Sequence, residues 1–322
     1  SFTVLVTKKL PEAGLTELKK YCDVYVYDKK LSISKEELLK IAPTLDAVIA
    51  VGTRIDEEFI KKAEKLKIVS SYGVGYDNIN VETASKRNII VTNLPDVVTE
   101  STAELTMALM LSLTRRIIPA DNYIRKNKNI EWNPMLFMGN DLYYKKLGIV
   151  GFGRIGRAVA RRAISFGMQL YYYDVHEIDS RKLNIDISFL GFEELIKEVD
   201  YITLHVPYFR KTHHLIDRKT LESIKSSAYI INASRGPVID EKALIEALKN
   251  KQIAGAALDV FENDLQVPDD LKKFQNVVLT PHIGTSTVET RVKMASIASE
   301  KIIQVINGQK PKNIVNEKEI NI

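Results

Sequence analysis

Short apolar runs alternate with amphipathic stretches along most of the chain. Runs at 2–7, 24–27, 46–51, 68–71 and 89–92 are brief and rich in β-branched residues, and each reads as a strand. Between them lie helical segments. One opens at Pro11 with Leu15 and Leu18 on one face, and one starts at the capping box Ser34–Glu37; others fall around 56–65 and 81–87. Such alternation predicts a small doubly wound α/β domain over residues 1–98.

From 95 to 116 the pattern changes. Apolar residues from Ala103 to Leu113 occupy nearly all faces, which predicts a buried helix with Thr99, Ser101 and Thr102 as capping hydroxyls at its start. Residues 120–145 read as polar and irregular; Trp132, Phe137, Tyr143 and Tyr144 make them a candidate arm that packs on another subunit. Alternation then resumes, with strands at 147–150, 168–173, 201–204, 229–232, 254–258 and 277–279. Helices are expected at 154–166, with Ile155, Val159, Ala163 and Phe166 on one face, and at 188–198. The fold class predicted is α/β with two doubly wound parallel-sheet domains.

Composition narrows the function only a little. The chain has 322 residues, 45% hydrophobic and 27% charged, with a formal net charge of +5. This is an ordinary globular balance with scattered lysines, so no nucleic-acid partner is expected. No run reaches the length of a membrane span and the first residues lack a signal-peptide layout, so no membrane partner and a cytoplasmic location are expected. The single cysteine, Cys22, reads as a packing residue, and the five histidines form no ligand motif, so no metal site is expected.

The most informative stretch follows the 147–150 strand. Gly151, Gly153 and Gly156 have the spacing of a dinucleotide-binding turn. The first glycine makes the tight turn, the second lets backbone approach a pyrophosphate, and the third lets helix pack on strand. Asp174 ends the next strand, where a carboxylate accepts ribose hydroxyls and repels a 2′-phosphate. The expected cofactor is NAD(H), preferred over NADP(H).

Later strand ends carry the candidate chemistry. Strand 229–232 leads to Arg235, strand 254–258 to Asp259, Glu262 and Asp264, and strand 277–279 to His282. In a parallel sheet these ends share one edge. Arg235 could hold an anionic substrate, and His282 could move a hydroxyl proton with Asp264 or Glu262 orienting its ring. His205 is a possible lining residue; His213 and His214 read as structural. In the first domain, the glycines of 72–78 sit at a strand end and read either as an anion-binding turn or as a plain turn.

These residues resemble a known family. The segments YGVGYDNI (72–79), NLPDVVTESTAEL (93–105), WNPMLFMGNDLYYKKLGIVGFGRIG (132–156), HVP (205–207), NASRG (232–236), ALDVFENDL (257–265) and LTPHIG (279–284) are similar to the D-isomer-specific 2-hydroxyacid dehydrogenases, most of all the glyoxylate/hydroxypyruvate reductase branch. The resemblance implies a flavodoxin-like substrate domain (1–98 and 289–322) holding an inserted Rossmann domain (99–288). A second linking helix at 286–307 would stop at Asn307-Gly308. It implies reduction of a small 2-keto acid to the D-2-hydroxy acid, with His282 as acid/base, Arg235 as substrate anchor and Asp264 as supporting acid. Val74 and Gly75 would bind substrate. Thr102, Arg154, Ile155, Asp174, Pro207, Ala233, Asp259 and Gly284, with the three turn glycines, would line the cofactor site. A homodimer through the cofactor domain is also implied, with Trp132 reaching the neighbouring subunit. Where the family places Glu-Pro, this chain has Asp264-Leu265. Two alternatives are a D-3-phosphoglycerate dehydrogenase, with Arg54 as a phosphate cation, and an NAD-sensing interaction protein without turnover.

Overall fold

The computed structural model describes residues 2–179, 182–264 and 266–321. They form two compact units, Ser1–Val98 with Thr285–Ile322, and Thr99–Gly284. The return crossing thus precedes the 288/289 boundary read from the sequence. The reason is local: Thr287 caps the final helix by accepting from the Thr290 amide at 3.1 Å, and the Thr285 carbonyl accepts from Arg291 Nε at 3.1 Å.

In chain order the first unit runs β1 (Thr3–Val6), α1 (Leu18–Tyr21), β2 (Asp23–Val26), α2 (Lys35–Ile41), β3 (Ala47–Ala50), α3 (Glu57–Lys62), β4 (Ile68–Ser71), α4 (Val81–Lys86) and β5 (Ile90–Thr92). All pairings are parallel and the sheet order is β2-β1-β3-β4-β5, the flavodoxin-like order. Leu5, Val48 and Val69 of the strands meet Phe59 and Ile60 of α3 in its core. The Ser34–Glu37 capping box is fully formed. Cys22 is buried, which pushes its thiol up to about 11 and makes it inert.

The second unit begins with α5 (Thr99–Thr114) and α6 (Ile117–Lys126). It continues through β6 (Lys146–Val150), α7 (Arg154–Ala163), β7 (Gln169–Tyr173), β8 (Ser188–Phe189), α8 (Phe192–Glu198) and β9 (Tyr201–Leu204). The remaining elements are α9 (Arg218–Ser223), β10 (Tyr229–Asn232), α10 (Glu241–Lys249), β11 (Gly255–Leu258), α11 (Asp269–Lys273) and β12 (Val277–Leu279). Its parallel sheet has the order β12-β11-β10-β9-β6-β7-β8, reversing direction between β6 and β9. Ligands of open α/β sheets bind at that switch point.

Several local expectations are corrected. Residues 120–126, expected to be irregular, belong to the helix Ile117–Lys126: Arg116 takes a left-handed φ of 55° after α5, and the second helix starts with Pro119 in its first turn, where proline is tolerated. None of its residues is buried, and its apolar residues Ile117, Ile118 and Ile124 are exposed. Ser188–Phe189 pairs with β7 as a short edge strand, and the helix expected over 188–198 starts only at Phe192. Phe166 is 41% exposed because α7 gives way to a 3-10 turn at Ile164. Thr99 does not cap α5; its buried hydroxyl has no hydrogen-bond partner among the described residues.

The chain re-enters the first unit as α12 (Val288–Ile306), ended at Gly308 with φ 69°. The tail then borders β5. Val315 N–H donates to the Val91 carbonyl at 2.8 Å, and the Asn316 side chain accepts from Val91 N–H at 3.0 Å and donates to the Ile89 carbonyl at 2.8 Å. Buried Asn316 thereby satisfies backbone groups that a terminal strand would leave unpaired. No helix of the described residues is long and apolar enough to cross a membrane.

Candidate active site

In the second unit the glycine turn has the geometry its spacing suggests. Gly151 has φ +92°, and a Cβ there would lie 2.5 Å from the His205 carbonyl oxygen. The turn after β6 therefore abuts the His205–Pro207 segment after β9, at the switch point. A Cβ on Gly156 would lie 2.2 Å from the Gly151 oxygen, whereas one on Gly153 would meet nothing within 4 Å. Gly153 presents open backbone at the N-terminus of α7, where unpaired amides and the helix dipole favour phosphate. Arg154 is exposed and Ile155 half-buried in the first turn of that helix.

Asp174 follows β7. One carboxylate oxygen accepts from Phe152 N–H at 2.8 Å and the other from Val175 N–H at 2.7 Å. Each retains a lone pair for a ribose hydroxyl. The residues present thus fit a dinucleotide: open backbone for the phosphates and a fixed carboxylate for the ribose. Pro207 is exposed and its carbonyl accepts from the Thr212 hydroxyl at 2.7 Å. His205 bonds the Thr203 hydroxyl through its ring at 2.8 Å, and burial pushes its imidazole down to about 3, so it is neutral.

Arg235, Asp264 and His282 lie in loops that are stapled together from below. Asn232, fully buried at the end of β10, donates through Nδ2 to the Arg235 carbonyl at 2.9 Å and accepts from Ser234 N–H at 3.0 Å and the Ser234 hydroxyl at 2.8 Å. Ala233, half-buried, lies inside this knot. A Cβ on Gly236 would stand 1.8 Å from the Phe261 oxygen, so the Arg235 turn rests directly on the start of the acidic loop. The Arg235 side chain is half-buried and donates to the Ser234 carbonyl at 2.9 Å.

Asp259 organises the next loop. It is 1% exposed, and its carboxylate accepts from the Thr280 hydroxyl at 2.7 Å, Ile283 N–H at 2.8 Å and Gly284 N–H at 2.9 Å. Its carbonyl accepts from His282 N–H at 2.9 Å. His282 is exposed with φ 57°, a left-handed conformation that costs a residue with a Cβ about 1 kcal/mol and persists where surrounding bonds impose it. Gly284 faces Thr102: a Cβ there would lie 3.6 Å from the Thr102 Oγ1 and 3.4 Å from Asp259 Oδ2. Asp259, Thr102 and Gly284 are therefore one cluster.

The two carboxylates of the acidic loop differ in their surroundings. Glu262 is engaged elsewhere: its Oε1 is 2.6 Å from His214 Nε2, its Oε2 accepts from Glu241 N–H at 3.2 Å, and its own amide donates back to the Glu241 carboxylate at 3.2 Å. Asp264 sits in an exposed turn with φ 52°. The holding roles of Asn232, Asp259 and His214 were not legible in the sequence, because side-chain bonds to loop backbone, or from His214 to the Glu262 carboxylate, leave no periodic trace.

In the first unit the 72–78 turn follows β4. Its carbonyls are drawn inward: Gly73 O accepts from Leu94 N–H at 2.8 Å, Val74 O from Asn93 Nδ2 at 2.8 Å and Gly75 O from the Ser71 hydroxyl at 3.0 Å. The amides of Val74 and Gly75 donate to none of the described residues, which leaves two adjacent N–H groups for an anion. Among the described residues no group of three or more His, Cys, Asp or Glu could hold a metal ion.

Comparison with known proteins agrees with this geometry. Residues 107–284 match the family model described as D-isomer specific 2-hydroxyacid dehydrogenase, NAD binding domain. A glyoxylate reductase of Korarchaeum cryptofilum is 42% identical over 99% of this chain and 97% of its own length. A solved protein of Thermus thermophilus superimposes with a TM-score of 0.92 at 39% identity, covering 98% of this chain and 100% of that one. An NADPH-dependent glyoxylate/hydroxypyruvate reductase of Sinorhizobium meliloti, solved with NADP and malonate, has a TM-score of 0.86 at 27% identity, covering 100% of this chain and 98% of the other. The chain is an NAD(P)-dependent oxidoreductase that belongs to the D-isomer-specific 2-hydroxyacid dehydrogenase family.

Proposed function

We propose that the protein reduces a small 2-keto acid of the glyoxylate or hydroxypyruvate type to the D-2-hydroxy acid, using NADH. The observation that carries this reading is the stapled trio of loops bearing Arg235, Asp264 and His282. A guanidinium binds an anionic keto acid and polarises its carbonyl, and an imidazolium delivers a proton to the carbonyl oxygen. When bound, the cofactor supplies the reducing equivalent. Gly151, Gly153, Arg154, Ile155 and Gly156 would receive its pyrophosphate, Asp174 its ribose, and Thr102, Pro207, Ala233, Asp259 and Gly284 would line the remainder. The amides of Val74 and Gly75 take the substrate carboxylate.

Asp264 is the supporting acid for His282, since Glu262 is held by His214 and the Glu241 amide. The Asp174 carboxylate favours NADH over NADPH by repelling a 2′-phosphate. Arg54, exposed beside a loop whose Thr53 carbonyl accepts from Asn78 Nδ2 at 2.7 Å, keeps a phosphorylated keto acid as a second reading. A screen of NADH oxidation over glyoxylate, hydroxypyruvate, phosphohydroxypyruvate and pyruvate tests both. Binding of NADH with turnover of none of them would favour a sensing role.

A homodimer is part of the reading. Its support is the exposed apolar face of the 117–144 segment, where Trp132 is 86%, Tyr144 68%, Met135 67% and Met138 61% exposed. A contiguous exposed run of this kind marks an interface. Light scattering tests it, and a monomer at micromolar concentration would contradict it.

A further inference from the structure

A buried ammonium in the first unit heads a hydrogen-bonded chain that ends at the Val74 amide. Lys301, on α12, is 3% exposed. Its Nζ donates to the Asn93 carbonyl and, at 3.4 Å, to Asn313 Oδ1. The Asn93 carbonyl and the Leu94 N–H belong to one peptide group. That N–H donates to the Gly73 carbonyl at 2.8 Å, and the Gly73 carbonyl shares its peptide group with the Val74 N–H. Two peptide groups therefore connect the charge to the first outward amide. The Asn93 side chain, which takes no bond from Lys301, separately fixes the turn by donating at 2.8 Å to the Val74 carbonyl.

Each link in such a chain polarises the next, by perhaps 10–30% per bond in a low-dielectric interior. A cation at one end draws electron density along the peptides and leaves the distal N–H a stronger donor. Holding the Asn93 strap in place needs no charge, because Asn93 N–H also donates to the Asn313 carbonyl at 3.3 Å. Burying an ammonium against neutral oxygens is costly, so a purely structural account leaves the charge unexplained. The charged groups that act on it are Glu300, its neighbour on α12, and Asp96; both favour the charged form. Burial outweighs them and brings the ammonium down to about 8.

We propose that Lys301 is a positioning residue for substrate binding, its charge relayed through the 93–94 and 73–74 peptide groups to strengthen the Val74 amide, one of the two that hold the substrate carboxylate. The proposal rests on the reading that this turn takes that carboxylate. The relay acts on binding and leaves proton transfer to His282, so it moves KM and not kcat. It weakens as Lys301 loses its proton.

The test is KM and kcat for glyoxylate at saturating NADH, from about pH 6.5 to about 9.5, for the wild type, Lys301→Met and Lys301→Arg. The wild-type KM should rise through about pH 8, the Lys301 titration range. Lys301→Met should raise KM about five- to tenfold near neutrality with kcat within about twofold, and should lack the rise. Lys301→Arg, whose guanidinium keeps its charge, should hold KM low across the range. Equal KM values for wild type and Lys301→Met near neutrality, or the same KM profile in both, would overturn the relay. Should the substituted proteins not fold, a wild-type KM flat through about pH 8 would overturn it as well. Failure of the wild type to reduce any 2-keto acid would overturn the functional reading and the relay together, whereas a flat KM with normal turnover removes the relay alone.

Discussion

Asp259 holds His282 by the backbone: its carbonyl accepts the His282 amide at 2.9 Å while its buried carboxylate takes the next two amides, Ile283 at 2.8 Å and Gly284 at 2.9 Å. With the Thr280 hydroxyl at 2.7 Å the carboxylate takes three donors, and the left-handed φ of 57° at His282 is held by bonds on both sides. Replacing Asp259 with Asn would turn one oxygen into an NH2 facing an amide donor. Asp259→Asn should cost on the order of 2–3 kcal/mol of stability and lower kcat/KM about a hundredfold, read by denaturant melts and steady-state rates. Unchanged kcat/KM would show that the loop needs no clamp.

Asp264 and Glu262 are separable by substitution. Removing the negative charge of a carboxylate that supports His282 makes the proton donor weaker-held, so the fall of activity with rising pH begins earlier. Asp264→Asn should therefore shift the alkaline limb of the kcat/KM profile to lower pH and reduce the plateau about tenfold or more. Glu262→Gln loosens the bond to His214 and should cost about 1 kcal/mol of stability while leaving that limb in place. The reverse pattern in pH profiles of the two variants would move the supporting role to Glu262.

Asp174 bonds the Phe152 and Val175 amides, so its position is set before any nucleotide arrives. Asp174→Ser should raise the NADPH-to-NADH ratio of kcat/KM by about ten- to a hundredfold, as a repelling charge near the 2′ position is removed. A wild type that already prefers NADPH would contradict the assignment.

Lys301 makes the stability of the protein depend on pH. Its folded pKa, about 8, lies below its ordinary 10.5, so between these values the unfolded chain binds more protons than the native one. Stability should then rise with pH across that window, by up to about 3 kcal/mol, and the rise should vanish in Lys301→Met. Melting curves of the two proteins at several pH values measure the difference. Parallel curves would mean that Lys301 titrates normally.

Both sheets were legible from the sequence because buried parallel strands are short apolar runs, and the runs ending at Ser71, Tyr173, Asn232 and Leu279 each mark a strand end within a residue or so. The glycine turn was legible for the same reason: close approach leaves a residue type behind, as at Gly151 and Gly156. The helix Ile117–Lys126 was not, since it buries nothing, and the edge strand Ser188–Phe189 was too short to show alternation. Nor could spacing tell Glu262 from Asp264, which lie in one acidic loop. The bond that occupies Glu262 comes from His214, distant in sequence and brought to it by the fold.

In the proposed reaction Arg235 and His282 act on a 2-keto acid. Its most direct test is NADH oxidation with glyoxylate by the wild type, Arg235→Ala and His282→Ala. The wild type should turn over, and each variant should lose about a hundredfold or more in kcat/KM with NADH affinity retained. Full activity in Arg235→Ala or His282→Ala would contradict it.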